Sequence, residues 1–237
     1  AMDDLLQRHP GIGGFLGLSD TDNVLSAAPV AARHNRVFLT SGATSPKLPA
    51  EVPTYLLLAR FGDNVQAAAG AEWAFNARRA RSVQVLFDPN RTYPVLLKDY
   101  FVDRFTELGG AVLGPTEIDL RRAQPLLPEI TNADLVFLSV ESAGTAAELI
   151  PRIRASGYDG PILAGDGLDA PGMWAQNPQI SNVFFTTHVY LGADSPSPAV
   201  RTFLSAYRAA NGEEPSAFSA HGYDAVGLMA AAIETSG

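Results

Sequence analysis

Leu135-Val136-Phe137-Leu138-Ser139-Val140 opens the stretch that decides the fold, and Pro161-Ile162-Leu163-Ala164 closes it. Both are short runs of branched and aromatic apolar residues, the composition of strands buried on two faces. Between them Ala143–Ala155 carries helical spacing, and Gly157 stands just past its end, where a left-handed cap would terminate a helix. Strand, helix and strand within about thirty residues make a βαβ unit, whose two strands run parallel.

The pattern continues in both directions. Further strands are expected at residues 14–18, 37–40, 83–87, 111–113 and 183–187, and further helices at 24–32, 64–80, 95–108, 200–210 and 218–233. Within 64–80, Val65, Ala69, Trp73 and Ala77 recur at the four-residue spacing of one helix face. Gly109-Gly110 and Asn211-Gly212 punctuate helix ends. Strands alternating with helices predict an α/β fold with parallel sheets and helices on both faces. The length of 237 residues suits one large domain or two lobes.

Composition narrows the function. Hydrophobic residues make up 46% and charged residues 18%, which is globular composition, and the formal net charge is −8. An acidic surface argues against nucleic acid or an anionic membrane as partner. With no cysteine there is neither a disulfide framework nor a thiolate metal site. His9, His34, His188 and His221 fall in no zinc-binding spacing, so no metal and no cofactor are expected. No run approaches the ~18 apolar residues of a membrane span. The acidic opening Asp3-Asp4 has no signal-peptide character.

In doubly wound sheets ligands sit beyond the carboxyl ends of the strands. The loops to inspect are therefore 19–23, 41–45, 88–93, 141–144 and 165–169. They are rich in hydroxyls and acids, and Arg91 is their one basic residue. In Ser41-Gly42-Ala43-Thr44-Ser45 the small residues would let backbone amides and the Thr44 hydroxyl reach a carboxylate; an ordinary turn ending at Pro46 is the plainer reading. Thr21 is either a second such hydroxyl or an N-cap. Asp166, between Gly165 and Gly167, would take an ammonium group or form an Asx turn. Tyr93 would wall the ligand or simply begin a helix. Glu141 and Ser142 follow a very apolar strand, at a cleft or at a solvated strand end. No nucleophile elbow and no phosphate-binding Gly-rich loop is present.

Four blocks carry a family likeness: Phe15-Leu16-Gly17 with Ala27-Ala28-Pro29 and Ser41-Gly42-Ala43-Thr44-Ser45-Pro46; Ser156-Gly157-Tyr158-Asp159-Gly160-Pro161-Ile162 into Gly165-Asp166-Gly167; Phe184-Phe185-Thr186-Thr187-His188; and Gly212-Glu213-Glu214-Pro215 with Gly222-Tyr223-Asp224-Ala225-Val226. In this order they resemble the type I periplasmic binding proteins of the branched-chain amino-acid receptor group. The resemblance implies two Rossmann-like lobes closing on a small zwitterion, with lobe one at 1–60 plus 189–237 and lobe two at 61–188. It implies no catalysis, an extracytoplasmic location, and delivery of an amino-acid-like ligand to the membrane subunits of an ABC importer. Thr21, Gly42, Ala43 and Thr44 fall on positions that bind the ligand carboxylate, Tyr93 on an aromatic closing over the ligand, and Asp166 on the acid meeting the ammonium. Glu141 and Ser142 stand where the family usually has glycine and tyrosine, which favours a polar or cationic ligand side chain over an aliphatic one. The family's first strands would precede Asp3 and its last segment would follow Gly237, so lobe one is expected to be incomplete, with a strand edge inviting a second copy. Two other readings are a sensory ligand-binding domain and an α/β hydrolytic enzyme using His188 or His221.

Overall fold

The computed structural model describes residues 2–122, 127–130 and 132–236. In chain order the elements are α1 (Met2–Arg8), β1 (Gly14–Gly17), α2 (Thr21–Arg33), β2 (Val37–Thr40), α3 (Leu48–Glu51), β3 (Leu56–Leu58), α4 (Asp63–Glu72), β4 (Ser82–Phe87), α5 (Thr92–Glu107) and β5 (Ala111–Glu117). They continue with β6 (Leu135–Ser139), α6 (Ala143–Ala155), β7 (Ile162–Ala164), α7 (Pro171–Gln176), β8 (Val183–Phe185), α8 (Pro198–Asn211) and α9 (Ala217–Ser236). The chain divides into two compact units, one of Ala1–Gly62 with Val189–Gly237 and one of Asp63–His188.

The second unit is built on a five-stranded sheet in the order β5-β4-β6-β7-β8, with every pairing parallel. All five residues of β6 are buried, as a central strand covered on both faces requires. Leu138 and Val136 face a core completed by Leu149, Ile150 and Ile153 of α6. Phe137 and Leu135 face the other core, with Leu97, Phe101 and Phe105 of α5 and Ala67, Ala71 and Ala74. There the rings of Phe101 and Phe137 stack with centroids 3.8 Å apart.

The first unit has a three-stranded parallel sheet, β1-β2-β3, in which Phe15, Phe38 and Leu56 share one register line. Phe38 and Leu56 pack on Val24 and Ala28 of α2 and Leu48 of α3. Met229 of α9 sits over Gly14 on the opposite face, and Arg60 anchors α9 through a 2.8 Å ion pair with Asp224.

Several elements differ from expectation. β3 was not anticipated: its three residues are all leucine, with Leu57 half exposed, and so short a run does not by itself separate strand from helix. β5 extends to Glu117 through Gly114 and Pro115, which read as breakers. An edge strand tolerates them, because a proline there needs no ladder partner, and its pairing with β4 shifts register between Val83 and Val85. The helix expected over 64–80 is α4 to Glu72, followed by a π-helical turn at Trp73–Ala77. α5 begins before Pro94, which lies in its first turn, where no backbone N–H is needed.

Candidate functional site

Asp166 follows the buried strand β7 and opens a 3-10 turn, Asp166–Leu168. It is 3% exposed. Its Oδ1 accepts from the Tyr93 hydroxyl at 2.6 Å and from Gln66 Nε2 at 2.9 Å, and His188 Nε2 lies 3.2 Å from Oδ2. Two hydrogen bonds and one close contact with His188 thus hold the carboxylate. Burial alone would raise its pKa. The hydrogen bond and charge of His188, aided by Tyr93 and Gln66, outweigh that and hold the carboxyl below the usual range. Burial, then the neighbouring Asp166 and Asp63, push the Tyr93 phenol well above its ordinary value. Asp166 is thus ionised and Tyr93 neutral at physiological pH.

Local packing explains why these residues meet. A β-carbon at Gly165 would collide with the Tyr93 hydroxyl and Leu97, so glycine lets α5 press against the end of β7. Ser139, ending β6, donates to the Pro94 carbonyl at 2.8 Å and holds the start of α5 in place. Tyr93 is 7% exposed with its hydroxyl committed to Asp166, so it supports that acid from below; the expectation of an aromatic wall is corrected to this extent. Gln66, and Thr186 whose hydroxyl donates to Gln66 Oε1 at 2.7 Å, were missed as site residues by sequence reading: a glutamine in a helix carries no distinguishing signal, and Thr186 was read only as part of a family block.

The other expected residues of this unit lie at the ends of β4 and β6. Glu141 Oε2 is 3.6 Å from Arg91 Nε, with both side chains about a third exposed. The one basic residue of these loops therefore meets the charge read as awaiting a cationic ligand. Ser142 is the N-cap of α6 and accepts from the Thr145 N–H at 3.3 Å.

In the first unit Thr21 is 2% exposed and is the first residue of α2. It is not the cap: Asp20 takes that role, accepting from the Asn23 N–H at 2.9 Å. Gly42, Ala43 and Thr44 are buried at the end of β2 and start no helix. A β-carbon on Gly42 would lie 2.7 Å from Ser19 Cβ, so this glycine is required by the close approach of the loop after β1. The Ala43 N–H donates to Thr40 Oγ1 at 3.1 Å, which corrects the view of that amide as reserved for a ligand. Thr40 Oγ1 in turn donates to the Leu18 carbonyl at 2.8 Å, a strand-end role that sequence reading overlooked.

Among the described residues no group of His, Asp or Glu is arranged to hold a metal ion, and no helix is long and apolar enough to cross a membrane.

Each unit is an α/β fold on a parallel sheet with polar groups placed at strand ends, where ligands of such sheets bind. The profile of the periplasmic binding proteins matches residues 2–237, and the chain belongs to that family. The family comprises extracytoplasmic solute-binding proteins, not enzymes, which removes the hydrolytic reading of His188 and His221. No curated protein matches the chain significantly. Among solved structures it is similar to a leucine binding protein from Thermotoga maritima, with a TM-score of 0.84 and 27% identity over 98% of this chain and 67% of that one. A branched-chain amino acid transporter substrate binding protein from Streptococcus pneumoniae, in complex with isoleucine, superposes with a TM-score of 0.80 at 22% identity over 94% of this chain and 64% of its own. A solute binding protein of an ABC transporter from Rhodopseudomonas palustris, in complex with 3,4-dihydroxybenzoic acid, gives 0.75 at 19% identity, covering 94% and 62%. The chain spans about two thirds of the length of these proteins.

Proposed function

We propose that the chain binds a small zwitterion, an amino acid or close analogue, as the solute-binding component of an ABC importer. The observation that carries this is Asp166, a buried carboxylate after β7 held ionised among Tyr93, Gln66 and His188. Such a group suits a ligand ammonium and penalises a ligand whose only charge is negative. In the first unit, Thr21 at the start of α2 and Gly42 and Thr44 after β2 are buried groups of the kind that suit a carboxylate, while the Ala43 N–H is held by Thr40. Tyr93 supports Asp166. Glu141 and Ser142 border the side-chain end, where a cationic ligand would compete with Arg91 for Glu141. Delivery to membrane subunits, an extracytoplasmic location and pairing of two copies along the β1 edge complete the reading.

The test is a calorimetric screen of the twenty amino acids beside their analogues lacking the amine, and beside hydroxybenzoates. Amino acids should bind, and Asp166→Asn should weaken them at least thirtyfold, because an ammonium loses a charged, desolvated partner. Equal affinity for acids lacking an amine, or an unaffected Asp166→Asn variant, would overturn the assignment.

A further inference from the structure

Gln66 stands in the first turn of α4 and is 2% exposed. Its side-chain amide uses all four hydrogen-bonding directions. Nε2 donates to Asp63 Oδ1 at 2.8 Å and Asp166 Oδ1 at 2.9 Å, while Oε1 accepts from the Asp166 N–H at 3.2 Å and from Thr186 Oγ1 at 2.7 Å. This pattern fixes which end of the amide points where, since a flip would set its oxygen against two carboxylates. One residue therefore grips Asp166 by both backbone and side chain.

The residues at the ends of this chain of bonds are also notable. Asp63 is the first residue of the second unit and His188 is the last, so they mark the places where the polypeptide enters and leaves it. Asp63 and Asp166 are joined through Gln66, and Asp166 to His188 directly. An amide can bridge two buried carboxylates without neutralising either. A lysine in its place would cancel the charge that attracts a cation.

We propose that Gln66 is a positioning residue, which presents the Asp166 carboxylate to a ligand cation and ties it to both ends of the second unit's chain. The charged and titratable groups facing the carboxylate are Asp63 from α4, Tyr93 from α5 and His188 after β8; Asp169, on the turn after Asp166, is held by Thr187. The proposal rests on the reading of Asp166 as the ammonium acceptor.

The test needs no ligand. In the whole chain, Gln66→Met keeps the shape and removes the hydrogen bonds, and Gln66→Glu sets a third acid beside the other two. The carboxyl carbon of Asp166 is titrated by carbon-13 NMR, and amide hydrogen exchange is followed in parallel. The Asp166 midpoint should move upward in Gln66→Met and further in Gln66→Glu, because a donor is lost and then a like charge added. Amides around Asp63 and around His188 should exchange at least tenfold faster together, while those of β4 and β6 keep their rates. An unmoved midpoint, or faster exchange confined to α4, would overturn the proposal. If the midpoint moves while no amino acid binds the unaltered protein, the ligand reading fails and the positioning role stands.

Discussion

The two units use the same parallel βαβ logic and bury their sheets to different degrees. In the second, β6 is fully buried and each face of the sheet has its own core. In the first, the three-stranded sheet has one well-defined core, and on its other face Leu16 and Leu57 remain 37% and 50% exposed. α9 likewise exposes Tyr223, Val226, Leu228 and Ile233. The lesson is that a buried ionised group needs a dry, rigid frame. Asp166, a buried acid held by Tyr93, Gln66 and His188, lies in the unit whose sheet is covered on both sides.

The sharpest way to break this contrast is to open a cavity in each core. Phe137→Ala removes a stacked, 2% exposed ring and should cost about 3–5 kcal/mol in urea denaturation. Phe38→Ala, against the partly exposed Phe15 on a three-stranded sheet, should fall at the low end of that range, since an open sheet can relax into the space. If Phe38→Ala proves the costlier change, the first unit is the better-packed one and the contrast is wrong.

Acid should separate the units next. Asp166 has a folded pKa below its unfolded value, so its contribution to stability is fully present above the ordinary carboxylate value of about 3.9 and is lost as pH falls towards the lower folded value. The protein should lose stability in that window, and Asp166→Asn should flatten that part of the profile while lowering stability at neutral pH. An unchanged acid limb in the variant would show that Asp166 is not the group responsible.

These contrasts were unevenly visible in the sequence. The βαβ pattern stood out because Leu135–Leu138 of β6 and all of β7 are apolar and α6 is well bounded. β3 and α3 were invisible because three to four residues carry no period. At the site, Asp166 was found from its place after a strand between glycines. What surrounds it was not: Gln66 lies 100 residues away in the chain, and nothing in its neighbourhood distinguishes it from any helical glutamine. Arg91 and Glu141 could each be read alone, while their pairing depends on how the loops after β4 and β6 meet. Thr21 looked like a cap because hydroxyls favour that position, yet the neighbouring Asp20 holds it.

Helix caps give a smaller effect that should be alike in the two units. Asp20→Ala at α2 and Ser142→Ala at α6 each remove an acceptor from a first-turn N–H and should cost about 1 kcal/mol by thermal or urea unfolding. Ser142→Ala also tests the site. If that change abolishes amino-acid binding at near-native stability, Ser142 touches the ligand as well as capping its helix.

The smallest effect belongs to the exposed face of α9. Leu228 is 52% exposed and Val226 58%, so neither contributes much burial to the folded chain. Leu228→Gln and Val226→Thr should each change stability by less than about 0.5 kcal/mol, as exposed substitutions usually do. Leu138→Gln in β6 strands a polar amide in a dry core and should unfold the chain outright at moderate temperature. The measurement is thermal unfolding at several protein concentrations, because an apolar surface that joins copies makes the melting point rise with concentration. A concentration-dependent melting point that Leu228→Gln removes would show that this face is buried in solution by a second copy. A concentration-independent one, with Leu228→Gln silent, would leave it a solvated surface and the first unit the less buried of the two.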